Sequence, residues 1–83
     1  LVEALKQKNF TNVKSWEVHN IDNDVTSLFR QIYDTLYTKL EQQSVAAMVL
    51  IIADYQYKAA FVADQEINLL ACLTQLMMEC NVK

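Results

Sequence analysis

The 83-residue chain contains no glycine and no proline. A phosphate-cradling loop and a dinucleotide fingerprint both need glycines that let the backbone approach the phosphates, so neither can exist here. The Asn-Gly and Asp-Gly pairs favoured in tight β-hairpin turns are missing too. With both helix breakers absent, composition alone favours an all-helical chain. Positive charge is scarce: 7 Lys and Arg stand against 10 Asp and Glu, for a net charge of −3. Lys6, Lys8, Lys14, Arg30, Lys39, Lys58 and Lys83 are scattered, which is not the footprint of a nucleic-acid-binding surface. The longest strongly apolar run, Val45 to Ala53, is too short to cross a bilayer. No basic-then-apolar leader opens the chain and it does not begin with Met, so we expect a fragment of a longer protein.

What is present suits one small domain, residues 1–83. Hydrophobic residues make up 53% of the chain, tyrosine included, which argues against disorder. Folded, a chain of this size exposes about 5,100 Å² of the roughly 13,900 Å² it exposes unfolded, enough burial for one core. Leu1 to Lys8 reads as a helix with Val2 and Leu5 inward. Asn9 or Thr11 can cap a second, marked by Val13, Trp16 and Val18 and ending near His19 and Asn20. Asp22, Asn23 and Asp24 form a turn cluster, with Asp24 as the cap of a third helix. In that helix Val25, Leu28, Phe29, Ile32, Tyr33, Leu36 and Leu40 fall within about 140° of one face, opposite Arg30, Asp34, Thr38 and Glu41.

Ser44 is a good cap for a fourth helix, Val45 to about Lys58, in which Asp54 and Lys58 are placed for a local ion pair. Asp64 caps a fifth, Gln65 to about Asn81. Its polar stripe, Asn68, Gln75 and Glu79, is only about 40° wide, and nearly everything else after the first turn is apolar. Helices four and five thus both ask for wide cover, more than one bundle of this size supplies. The surplus predicts an exposed patch that another protein surface meets.

No catalytic constellation emerges. His19 is the only histidine, far in sequence from Cys72 and Cys80. The two cysteines lie about 12 Å apart along one helix, too far for a mutual disulfide, and read as reduced, buried thiols. Asp22-Asn23-Asp24 lacks the glycine and terminal glutamate of a calcium loop, so no metal is expected there. Glu3, Glu17 and Glu41 look solvated. Tyr55, Tyr57 and Phe61 suit either a core or an interface. Met77 and Met78 suit core packing or an adaptable groove.

The segment Asp54-Tyr55-Gln56-Tyr57-Lys58, followed by Asp64-Gln65-Glu66-Ile67-Asn68-Leu69-Leu70-Ala71-Cys72-Leu73, resembles the end of clamp-loader small subunits of the replication factor C family. Val13-Lys14-Ser15-Trp16, Ile32-Tyr33, Gln43-Ser44 and Glu79-Cys80-Asn81-Val82-Lys83 are similar to the small ATPase subunit of T4-type bacteriophage clamp loaders. Where cellular members often carry glycine before the last helix, Ala59 to Ala63 fill the loop. The resemblance implies a compact five-helix collar domain that joins subunits into a ring. It implies that ATP and Mg belong to AAA+ modules N-terminal to this piece, and that the sliding clamp and primer-template DNA are met only through the full complex. It carries no catalytic or cofactor-binding residue over to this chain, and it implies the cytoplasm, that of the host if phage-encoded. We expect contacts with other clamp-loader subunits at Tyr55, Tyr57, Phe61, Leu69, Leu73 and Met77. The competing readings are a free-standing helical adaptor unrelated to replication, with a groove near Met77 and Met78, and a small enzyme using His19 or the cysteines.

Overall fold

The computed structural model describes residues 1–21 and 24–83, so Asp22 and Asn23 of the expected turn cluster lie outside the described residues. Five helices follow one another: α1 (Val2–Gln7), α2 (Phe10–Asn20), α3 (Val25–Leu36), α4 (Gln42–Lys58) and α5 (Gln65–Glu79). The exposed surface is 5011 Å², close to the value expected for a folded chain of this length.

Two caps form as the residue types dictate. Asn9 Oδ1 accepts the Asn12 N–H at 3.2 Å, and Asp64 Oδ1 accepts the Ile67 N–H at 3.1 Å. Asp24 stands at the head of α3, but its carboxylate takes the Ser27 hydroxyl at 3.1 Å and caps no backbone N–H. α1 ends on Lys8 at φ 53, a left-handed position that costs a non-glycine residue about 1 kcal/mol. Lys8 Nζ donates to the Met77 carbonyl at 2.7 Å, placing a cation at the negative end of α5 and tying α1 to it.

Ser44 is not a cap. α4 starts at Gln42, because Gln42 and Gln43 are good helix formers and nothing stops the helix before Glu41. Ser44 instead turns inward, where its hydroxyl accepts the Asn81 N–H at 2.9 Å. That bond belongs to a short C-terminal strap. The Glu41 N–H reaches the Asn81 carbonyl at 3.0 Å and the Lys83 N–H reaches Lys39 at 2.9 Å, with Val82 bridged antiparallel to Leu40. The strap also explains why α5 stops at Glu79, short of Asn81: Cys80 is already extended as the chain turns to pair.

α4 and α5 run antiparallel. Asn68 donates to the Tyr55 carbonyl at 3.1 Å, and Cys80 Sγ lies 3.6 Å from the Ser44 carbonyl, so position climbs on one helix as it falls on the other. Between them and α3 lies the core: Leu28, Phe29, Ile32 and Leu36 from α3, Met48, Ile51 and Ile52 from α4, and Leu69, Cys72, Leu73 and Leu76 from α5. α2 packs on α5 through Val13.

Two inward assignments change on α2. Val18 is exposed and Glu17 is fully buried. Burying Val13 and Trp16 places Glu17 about 40° from Val13 on the wheel and Val18 about 140° away, so both follow from the phase of the helix. On stability, Ser44→Ala should cost about 1 kcal/mol by leaving the strap's Asn81 N–H without its acceptor, whereas Ser27→Ala should stay within about 0.5 kcal/mol. Phe29→Ala should cost about 3–5 kcal/mol. Denaturant unfolding of the three variants beside the parent chain checks all three.

Candidate interaction face

The outward sides of α4 and α5 are unusually apolar. Leu50 is 73% exposed, Phe61 71%, Met78 71%, Tyr57 69% and Ile67 65%. They follow from helical spacing. Leu50, Asp54 and Tyr57 step along α4 at intervals of four and three residues, and Phe61 extends that line past its end. Ile67, Ala71, Thr74 and Met78 make the equivalent line on α5.

Two grooves accompany these lines. One is floored by Leu70 and Ala71 of α5 and walled by Phe10 of α2, Tyr55 of α4, and Ile67 and Met78 of α5. The other lies between α4 and α5, with Leu50, Ile51 and Asp54 on one side and Gln75 and Glu79 on the other. Gln75 borders both, so the two grooves adjoin.

Phe61 is held firmly for a residue outside a helix. Its N–H donates to Lys58 at 2.9 Å, the next N–H, of Val62, returns to the same carbonyl at 3.1 Å, and Gln65 Nε2 braces Ala59 at 2.7 Å. The Phe61 ring meets Tyr57 tilted at 57°, with centroids 5.2 Å apart. Lys58 pairs with Asp54 at 2.9 Å and lies 4.9 Å from the centre of the Tyr55 ring. The Asp54 hydrogen bond, then its charge, raise the Lys58 amine above its ordinary value.

The six residues expected at a subunit contact separate. Tyr57 and Phe61 are exposed, and Tyr55 is half-buried at the wall of the first groove. Leu69 and Leu73 are fully buried, and Met77 is buried, inside the chain's own core. The side of α5 that faces outward therefore runs through Ile67 and Met78. The signal that misleads is Asn68. As part of the polar stripe it points to solvent in the sequence, but its amide is turned inward onto the Tyr55 carbonyl.

The chemically reactive types are dispersed. His19 Nδ1 hydrogen-bonds to the Ser15 carbonyl at 2.7 Å on an exposed part of α2. Among the described residues no group of three or more His, Cys, Asp or Glu is placed to hold a metal. Both cysteines are buried with free thiols. Burial, then the nearby Cys80, push the Cys72 thiol up to about 12. Cys80 is also raised, by burial first and Glu79 second, against a smaller opposing pull from Lys8. No helix of the described residues is long and apolar enough to cross a membrane.

A compact all-α bundle that leaves one apolar face open defines the class of domain. Residues 24–81 match the family described as sliding-clamp-loader large subunit, C-terminal domain, and the chain belongs to that family. The description names the large subunit where the sequence resemblance named the small one. No curated protein matches the chain.

Only the thiolate is nucleophilic, and burial raises both thiols, so near neutral pH the thiolate of Cys72 is a minute fraction. Alkylation of the native protein near neutral pH should be far slower than of the unfolded chain, as counted by mass spectrometry against time.

Proposed function

We propose that this domain is an oligomerisation collar of a clamp-loader subunit, serving ATP-driven loading of a sliding clamp during DNA replication. The observation that carries the reading is the open apolar face of α4 and α5 on a chain of the clamp-loader C-terminal family. Large apolar side chains rimmed by polar ones mark surfaces that meet another protein. Clamp-loader subunits work as an assembly, so the partners are sister subunits. The sequence resemblance supports a ring, a phage-type small subunit of the replication factor C-like AAA+ class, and a place in the cytoplasm. On this reading ATP and Mg are bound by modules outside these 83 residues, and the clamp and primer-template DNA are contacted by the whole complex. The domain's own task is mechanical: a fixed joint passes movement from one subunit to the next.

The contacts are best sought at Tyr57, Phe61, Ile67 and Met78, with Tyr55 and Leu50 beside them. Leu69, Leu73 and Met77 support that surface from beneath. Phe61→Glu or Met78→Glu in the full-length subunit should weaken assembly by roughly tenfold or more while leaving the unfolding temperature close to that of the parent. Leu73→Glu should instead unfold the domain, because it buries an unpaired charge. Sedimentation velocity with the partner subunits, paired with thermal melts, separates the two effects. Unchanged sedimentation for both surface variants overturns the placement.

A further inference from the structure

The carboxylate of Glu17 is fully buried, and neither of its oxygens has a hydrogen-bond partner among the described residues. A dry, unpaired charge is among the costliest things a fold can hold. Glu17 sits one turn beyond Val13 on the buried side of α2, the helix that packs on α5. Charges at the start of α5 reach it, from Glu66 and from the cap residue Asp64, and both oppose its ionisation. Lys14, on α2 itself, favours ionisation but is exposed. α1 also packs against α2 and carries Glu3 and Lys6, with Lys8 at its C-terminal cap. Glu3 accepts the Gln7 amide, Lys8 is spent on the Met77 carbonyl, and Lys6 is exposed. The start of α5 offers Glu17 no ready donor at Ile67 or Asn68, whose N–H groups already bond to Asp64. The first residue of α5 adds another orphan, since Gln65 Oε1 is buried without a partner.

This end of the structure therefore holds buried oxygens without donors together with a surplus of negative charge. A single proton corrects both. It removes the buried charge and turns one Glu17 oxygen into an O–H donor, at an end of the structure where the Gln65 amide oxygen is also without a partner. We propose that Glu17 is a proton-operated latch: protonated, it holds α2 docked on the start of α5, and deprotonated, it loosens that seam. Burial, followed by Glu66, raises its pKa above the ordinary value, which agrees in direction. An acid raised on folding binds its proton more tightly folded than unfolded. The stabilisation is thus complete below the ordinary carboxylate range and is lost as pH climbs through the raised value.

The test is amide hydrogen exchange on the full-length chain, expressed as protection factors so that intrinsic exchange cancels, from about pH 4 to about pH 8. Protection along α2 should fall severalfold as pH rises, while protection along α3 holds. Glu17→Gln keeps the shape and removes the charge, so its α2 protection should stay high and flat. The carboxyl carbon shift of Glu17 in the unaltered protein gives a readout that needs no variant, and should titrate above the ordinary carboxylate range. Flat α2 protection in the parent, an equal fall in Glu17→Gln, or titration of Glu17 within the ordinary carboxylate range overturns the latch.

Discussion

The antiparallel packing of α4 on α5 is the contact on which the other elements hang. Met48, Ile51 and Ile52 meet Leu69, Cys72, Leu73 and Leu76, α3 closes over them with Phe29 and Ile32, and α1 and α2 lie along the remaining side of α5. The seam is pinned at both ends by polar groups of opposite parentage. Asn68 of α5 donates to the backbone of α4 near Tyr55, and Ser44 of α4 accepts from the backbone just past α5. Such part-buried hydrogen bonds add little net energy, but leaving either partner unsatisfied is costly, so they fix the register that apolar packing alone leaves loose.

The same seam produces the surplus. A central helix in a five-helix bundle needs neighbours on most of its circumference, and this chain has too few to cover α5 completely. Ile67 and Met78 stay in water, joined by Leu50 and Tyr57 of α4 and Phe61 just beyond it. In a domain of this size the fraction of surface that can be buried is limited by geometry, and the remainder is available to other chains. The chain belongs to a family described as the C-terminal domain of a sliding-clamp-loader subunit.

Much of the architecture was legible. The five helices, the Asn9 and Asp64 caps and the buried stripe of α3 all follow from local rules with a strong periodic signal. The candidate face was legible only in part. Tyr57 and Phe61 lie on it, and Tyr55 borders it, because aromatics at the end of a nearly all-apolar helix exceed what its core can hold. Leu69, Leu73 and Met77 lie beneath it instead. On a helix that is apolar nearly all round, the wheel has no preferred direction, and the single guide, the polar stripe, was undone by Asn68 turning in. Ser44 resisted because its partner, Asn81, is distant in sequence, and Glu17 because the phase of α2 turns inward a residue whose type alone points it to solvent.

The sequence by itself determined that this chain is helical, where most of its helices begin, and that it carries more apolar surface than it can hide. Those properties depend on backbone propensity, capping chemistry and composition, which act over a few residues. Only the tertiary structure decided which side of α5 faces water, that a serine in α4 fastens the C-terminal strap, and that a glutamate is sealed between α2 and α5. These depend on the rotation of one helix against another, and that rotation is set jointly by residues far apart in the chain.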